Sequence, residues 1–264
     1  MIDTHCHLTF PDFAGRVDLE LADASAVGVS GCVTVSTTTR DCLDALELAQ
    51  RFNAVRCTAG VHPLHAHEGP HEWENLRRVA SSPRCVAWGE LGLDNHYEHP
   101  PTNTQRRVLD EQLGFIQACR EGASPIAHPV VVHCREAFDD LIPVLRSAGL
   151  PPERMIFHCF TGGPHEARKV LDFGAWISFT GVVTYRNAPE VRQAAMLVPA
   201  DRILIETDAP FLSPEPKRGS RPCRPAYARH TAEAVARIRG QPFEEFHEQI
   251  NRNTERFFGI GDVI

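Results

Sequence analysis

Val130-Val131-Val132-His133 is a run of three β-branched apolar residues that ends on an imidazole. Such side chains favour an extended strand, and an unbroken apolar run suits a parallel strand covered on both faces. The imidazole is costly to bury alone, so the strand should end where a partner waits. The same pattern recurs along the chain. Val86-Ala87-Trp88-Gly89 runs into Glu90, Met155-Ile156-Phe157 into His158, and Ile203-Leu204-Ile205-Glu206-Thr207 into Asp208. Working outward, strand-like segments are expected at residues 2–7, 32–35, 56–60, 86–89, 130–133, 155–157, 175–179 and 202–206. Helical periodicity fills the gaps at 19–27, 41–52, 72–80, 104–119, 137–147, 164–173, 189–197 and 226–239, with apolar residues three and four apart. In the second of these, Asp41 is the expected N-cap, and Leu43, Leu46, Ala49 and Phe52 share one face. A last helical segment, 241–259, is expected outside the barrel, with Pro242 in its first turn.

Eight strand–helix units predict an α/β chain folded as a (β/α)₈ barrel, with an open doubly wound sheet as the rival. A single domain over residues 1–264 is expected, since barrels reach this length undivided. Charged residues make up 23% of the chain and hydrophobic ones 42%, values of an ordered globular protein. No long apolar run suggests a membrane span, and no basic-then-apolar leader opens the sequence. Nine cysteines, an odd number, read as reduced thiols, so a cytoplasmic location is expected. The net charge of −7 and the lack of a basic stripe argue against tight binding of long nucleic acid by its backbone.

In the opening Asp3-Thr4-His5-Cys6-His7, alternation along a strand turns His5 and His7 to one side and Cys6 to the other. In a barrel the strand ends converge, so His5, His7, Glu90, His133, His158 and Asp208 should meet as metal ligands. Four imidazoles and two carboxylates exceed the needs of one tetrahedral ion, so two divalent ions are expected, with magnesium, manganese and zinc the candidates. Such a pair can acidify a bound water, orient it as a nucleophile and stabilise charge on a phosphoryl group. Asp208 and Glu90 are the expected catalytic carboxylates, Asp208 also accepting a proton. His62 and Arg135 are expected to bind substrate, while Asp94 to Tyr97 should shape the pocket rim. Asp3 is expected to orient His5 or His7. Cys6, Cys134 and Cys159 sit beside ligand histidines, but alternation makes them small buried residues rather than nucleophiles.

These motifs together resemble the TatD-type metal-dependent deoxyribonuclease family of the amidohydrolase-like group. The resemblance rests on Asp3-Thr4-His5-Cys6-His7-Leu8, Gly60-Val61-His62-Pro63, Gly89-Glu90-Leu91-Gly92-Leu93-Asp94, Val132-His133-Cys134-Arg135-Glu136-Ala137, His158-Cys159-Phe160-Thr161-Gly162 and Glu206-Thr207-Asp208-Ala209-Pro210. Arg218-Gly219, Asn253 and Phe257-Phe258-Gly259 extend it to the C-terminal region. It implies a barrel that hydrolyses phosphodiester bonds with divalent metal, and the same six ligands. Glu90 is then the bridge, between one ion at His5, His7 and Asp208 and another at His133 and His158. The implied substrate is DNA ends or a small phosphodiester, with no membrane and no obligate protein partner. The alternative is an amidohydrolase or lactonase acting on a carbonyl substrate through the same water. The chain departs from the family at Thr9, where an aspartate is common, and at Cys223-Arg224-Pro225, where Asn-Glu-Pro is usual. The second departure exchanges an acid for an arginine near the expected mouth.

Overall fold

The computed structural model describes residues 1–260. Eight strands, β1 (Ile2–Cys6), β2 (Gly31–Thr34), β3 (Val55–Ala59), β4 (Cys85–Asp94), β5 (Val130–Arg135), β6 (Met155–Phe157), β7 (Trp176–Phe179) and β8 (Ile203–Ile205), form one sheet in sequential order. Every adjacent pair is parallel. Helices α1 (Val17–Ala26), α2 (Asp41–Arg51), α3 (Trp73–Ala80), α4 (Thr102–Glu121), α5 (Phe138–Ser147), α6 (Pro164–Phe173), α7 (Pro189–Leu197) and α8 (Ala228–Ile238) follow the strands in turn, and α9 (Phe243–Phe258) comes last. This is the expected barrel, with element ends within two residues of those read from periodicity except in β4, which runs on to Asp94. The expected 1–264 domain includes 261–264, which lie outside the described residues. No helix among the described residues is long and apolar enough to cross a membrane.

The seam between β8 and β1 closes through irregular backbone. The His7 N–H donates to the Ala209 carbonyl at 2.7 Å, and the Asp208 N–H donates to the His5 carbonyl at 2.9 Å. Side chains lock the same seam. Asp3 Oδ1 accepts from the Thr207 N–H at 2.9 Å, Asp3 Oδ2 accepts from the Thr207 hydroxyl at 2.5 Å, and the Thr4 hydroxyl donates to the Ile205 carbonyl at 3.0 Å. Asp3 thus tethers strand to strand and touches neither ring of His5 or His7, a correction to its expected role. Its nearest link to them is the His5 backbone N–H at 3.4 Å.

The barrel interior is a separate apolar cluster of Ile2, Val33, Val35, Val86, Val131, Ile156, Trp176 and Leu204, drawn from strands around the ring. Phe257, Phe258 and Ile260, from the end of α9 and beyond, belong to that same cluster. The last helix therefore does more than lie outside the wall, since its end plugs the interior. On α2 the buried face is Cys42, Ala45, Leu46 and Ala49, with Leu43 half-buried. Asp41 is the first helical residue rather than the cap. The Thr38 hydroxyl accepts from the Asp41 N–H at 2.9 Å, and the Asp41 carboxylate accepts from the Thr37 N–H at 2.8 Å.

Candidate metal centre

The strand ends bring His5, His7, Glu90, His133, His158 and Asp208 to one place, and Glu90 lies at its middle. Glu90 Oε1 is 3.5 Å from His5 Nε2 and 3.5 Å from His7 Nε2. Its other oxygen, Oε2, is 2.7 Å from His158 Nε2 and 3.3 Å from His133 Nδ1. Asp208 Oδ1 completes the first side, 3.6 Å from His5 Nε2 and 3.4 Å from His7 Nε2. Glu90 is 1% exposed, yet neither of its oxygens accepts a well-formed hydrogen bond. Buried anionic oxygens faced only by imidazole nitrogens are costly in a closed interior unless a positive charge lies between them, and a bound cation, or protons on the rings in its absence, supplies that charge. The donor set therefore fits divalent metal.

The hydrogen bonds at the far ring nitrogens fix which lone pairs face inward. His7 Nδ1 lies 3.0 Å from the Val35 carbonyl, which only accepts, so that nitrogen carries the proton and Nε2 is free. His133 is turned the other way. Its Nε2 donates to Asp94 Oδ2 at 3.0 Å, leaving Nδ1 toward Glu90. His158 has Nδ1 3.5 Å from Glu206 Oε1, with Nε2 on Glu90. Glu206 is held in turn by the Cys159 N–H at 2.6 Å. The rings of His5 and His158 stack at 3.9 Å and 7°, which fixes the two faces of the centre against each other.

Charge follows this geometry. Burial opposes charge on His158, but Glu90 and Glu206 outweigh it and raise its pKa well above the usual imidazole value. His133 is raised as well, burial being outweighed by Asp94 and Glu90. Burial would raise Glu90, yet His62, His158 and His5 hold it well below the ordinary carboxyl range. His62 moves the opposite way. Burial, helped by His133, His65 and His7, outweighs the opposing pull of Glu90 and drives it well below the ordinary value.

Three clusters among the described residues bring ligand atoms together: His5, His7 and Glu90; His62, Glu90 and His133; and His5, His158 and Glu206. His62 thus stands inside the centre, 3.7 Å from Glu90 Oε2 and 3.1 Å from His133 Nδ1. Its Nδ1 accepts the Leu64 N–H at 3.0 Å, so the neutral ring carries its hydrogen on Nε2. It presents a donor to the centre, not a lone pair. Arg135 lies at the mouth with its guanidinium 5.1 Å from the Tyr97 ring centroid. His65 pairs with Glu68 at 2.6 Å, away from the centre.

Asp94 and Glu206 were not expected as partners of ligand rings, and both had a signal. Ending the fourth strand at Gly89 hid that Glu90, Gly92 and Asp94 alternate onto one side of β4. Glu206 directly follows the apolar run Ile203-Leu204-Ile205, the same pattern that marked the expected ligands. Cys6 and Cys134 are buried as expected. Cys159 is half-buried beyond the end of β6 with φ of 45°, so strand alternation does not govern it. Burial raises all three thiols, which leaves them protonated and poor nucleophiles. Arg224 does not face the mouth. It pairs with Glu20 at 2.6 Å and with Asp23, both on α1, so that helix absorbs the exchanged charge.

The family profile described as "TatD related DNase" matches residues 2–259. The chain is 39% identical over 263 residues to an uncharacterized metal-dependent hydrolase, YcfH, of Escherichia coli K12, covering 98% of this chain and 96% of that protein. It is 36% identical over 266 residues to the 3'-5' ssDNA/RNA exonuclease TatD of Erwinia amylovora, covering 98% of this chain and all (100%) of the other. The crystal structure of YJJV, a TatD homolog from Escherichia coli K12, superposes with a TM-score of 0.88 at 29% identity over 98% of both chains. With the convergent imidazoles and carboxylates, these matches show that the chain belongs to the TatD-related DNase family.

Proposed function

We propose that this chain is a metal-dependent phosphodiesterase that removes nucleotides from the ends of single-stranded DNA or RNA. The observation that carries the reading is Glu90, whose two oxygens face separate imidazole sets, Oε1 toward His5 and His7 and Oε2 toward His133 and His158. One bridging carboxylate with a ligand set on either side is the donor pattern of a two-ion centre. His5, His7 and Asp208 would hold one ion and His133 and His158 the other. When bound, such ions supply a Lewis acid for a phosphoryl oxygen and a water of lowered pKa. The mixture of imidazole and carboxylate donors suits zinc and manganese, and also magnesium at the carboxylate-rich side.

The chain's own groups divide the remaining work. Asp208 is 15% exposed against 1% for Glu90, so Asp208 is the carboxylate that solvent and substrate reach. It is held below the ordinary carboxyl range by His7 and His5 against the effect of burial, so it is ionised and can accept a hydrogen bond from the attacking water. His62 offers its Nε2–H to a phosphate oxygen or to the departing oxygen of the cleaved linkage. Arg135 offers its planar fork to the next phosphate. Metal-restored protein should release mononucleotides from single-stranded oligonucleotides, and Glu90→Gln combined with Asp208→Asn should reduce this at least about 100-fold. Unchanged product formation in that double variant overturns the reading. Turnover of a lactone or cyclic amide in place of oligonucleotide assigns the centre to carbonyl chemistry instead.

A further inference from the structure

The rim of the barrel mouth carries aromatic rings that the core does not use. Tyr97 and Phe211 are exposed at 49% and 37%, unusual for large apolar side chains. Tyr97 follows β4 and Phe211 follows β8, strands on opposite sides of the ring. Phe211 stands edge-on to Phe10 at 6.0 Å, and Phe10 lies nearly parallel to the His7 ring at 4.8 Å and 22°. An aromatic path thus leads from solvent to an imidazole of the metal centre. Each exposed ring also carries a guanidinium. Arg221 lies 5.4 Å from the Phe211 centroid, and Arg135 lies 5.1 Å from that of Tyr97 and donates to its hydroxyl at 3.3 Å. Lys217, Arg218 and Arg221 stand on the exposed loop after Phe211. Arg218 is 4.0 Å from the exposed Glu215 and Arg221 is 3.8 Å from the half-buried Asp12, long pairs with solvent-exposed guanidinium groups that an incoming phosphate displaces at little cost.

We propose that Phe211 with Arg221, and Tyr97 with Arg135, are two stacking platforms that hold unpaired nucleotides of a single-stranded nucleic acid across the mouth. The inference rests on the nuclease reading above and assigns that site its preference for single strands. Every base has a π face, so stacking is tolerant of sequence. The adjacent guanidinium meets the phosphate that follows the base and adds cation–π attraction. Bases within a duplex are already stacked on their neighbours and leave no free face for either ring. The local positive charge also explains how a chain of net charge −7 approaches a polyanion.

The test is equilibrium binding of a phosphorothioate-linked oligothymidylate, which resists cleavage, to the metal-loaded full chain by fluorescence anisotropy. It is compared with the same strand carrying abasic residues at its 3' end. The unaltered protein should prefer the intact strand by roughly 5- to 100-fold. Phe211→Ala should abolish most of that preference and Phe211→Trp should restore it, with Tyr97→Ala acting on the inner positions. A 2-aminopurine near the 3' end should be quenched on binding the unaltered protein and stay bright on Phe211→Ala. Equal base preference in both proteins, with 2-aminopurine unquenched, overturns the proposal. Cleavage of an unmodified strand is followed separately. Loss of cleavage with the Phe211-dependent preference intact sinks the nuclease reading and leaves the platforms standing. Cleavage without that preference sinks the platforms alone.

Discussion

Asp94 and Glu206 each act on the ring nitrogen that faces away from Glu90. Asp94 Oδ2 accepts from His133 Nε2 at 3.0 Å, while its other oxygen, Oδ1, is fixed by the His96 N–H at 3.0 Å and the Tyr97 N–H at 3.3 Å. A carboxylate in that position selects the tautomer whose inner nitrogen can bind metal, and it strengthens the basicity of that nitrogen. Asp94→Ala should therefore weaken metal binding about 10- to 100-fold in competition with a fluorescent chelator, and Asp94→Asn should recover part of the loss. Wild-type affinity in Asp94→Ala would show that His133 needs no such partner. Proton uptake gives a second prediction. The carboxylates around His133 and His158 raise both rings, so the metal-free centre retains protons near neutrality, while ionised Glu90 has none to give. Ligation needs the lone pair, so metal uptake must release protons, and affinity must rise with pH until the rings are neutral. Calorimetry at pH 7 in two buffers of different ionisation enthalpy should give different heats; identical heats would sink the prediction. Both carboxylates were hard to see in the sequence because their partners lie 39 and 48 residues away, Asp94 with His133 and Glu206 with His158. Only the folded ring of strands brings them together.

At the scale of the element, α4 is the positioning device. Its buried glutamines, Gln105 and Gln112, lie seven positions apart and so share a face. Gln112 Oε1 accepts the Val61 N–H at 2.8 Å, and its Nε2 donates to the Val61 carbonyl at 2.9 Å. Gln105 does the same for Asp94, accepting its N–H at 2.8 Å and donating to its carbonyl at 2.9 Å. One helix thus reads the backbone beside His62 and the backbone of Asp94, replacing the ladder bonds that strands lose as they leave the sheet. Gln112→Leu strands a buried donor and acceptor together, and should cost about 2–4 kcal/mol in denaturant unfolding. His62 loses its support in the same step, so kcat on oligonucleotides should fall more than metal affinity. A variant of normal stability would show that water fills the gap. The helical period of α4 was legible, with its apolar stripe, but its glutamines read as ordinary polar positions. Their role depends on where β3 and β4 end, and β4 runs to Asp94, well past the expected stop at Gly89. Gly92 is part of the reason the strand can continue there. A Cβ on it would lie 1.8 Å from the His133 carbonyl oxygen, so β4 and β5 approach at a spacing that only glycine allows.

At the scale of the whole molecule, the two ends of the barrel do different work. The strand ends that carry His5, Glu90, His133 and His158 face the mouth, and the opposite end of the interior is stoppered by Phe257 and Phe258 against Trp176. Phe257 is 2% exposed, and its ring lies 5.3 Å from that of Trp176. Asn253, one turn earlier on α9, donates to the Ala200 and Ile203 carbonyls at 2.8 Å each, which fixes the helix under β8. In this architecture the chemistry sits at the C-terminal ends of the strands and stability at the N-terminal ends. The converging ends were legible because four strands, β4, β5, β6 and β8, repeat the same apolar-to-polar pattern, and the eight-unit count because strand-like and helical segments alternate. The plug was not, because a final amphipathic helix looks alike whether it lies on a wall or closes a floor. Phe257→Ala separates the two ends experimentally. It removes a fully buried ring from the interior cluster and should cost about 3–5 kcal/mol. The ligand side chains do not touch that ring, so folded protein should keep metal affinity within about threefold of wild type, a difference under 1 kcal/mol. Urea titrations with and without saturating metal would then show the same gain from metal in both proteins, added to a lower baseline in the variant. Should metal affinity fall in step with stability, the floor and the mouth of the barrel would be one coupled unit, and the division of labour between its ends would have to be abandoned.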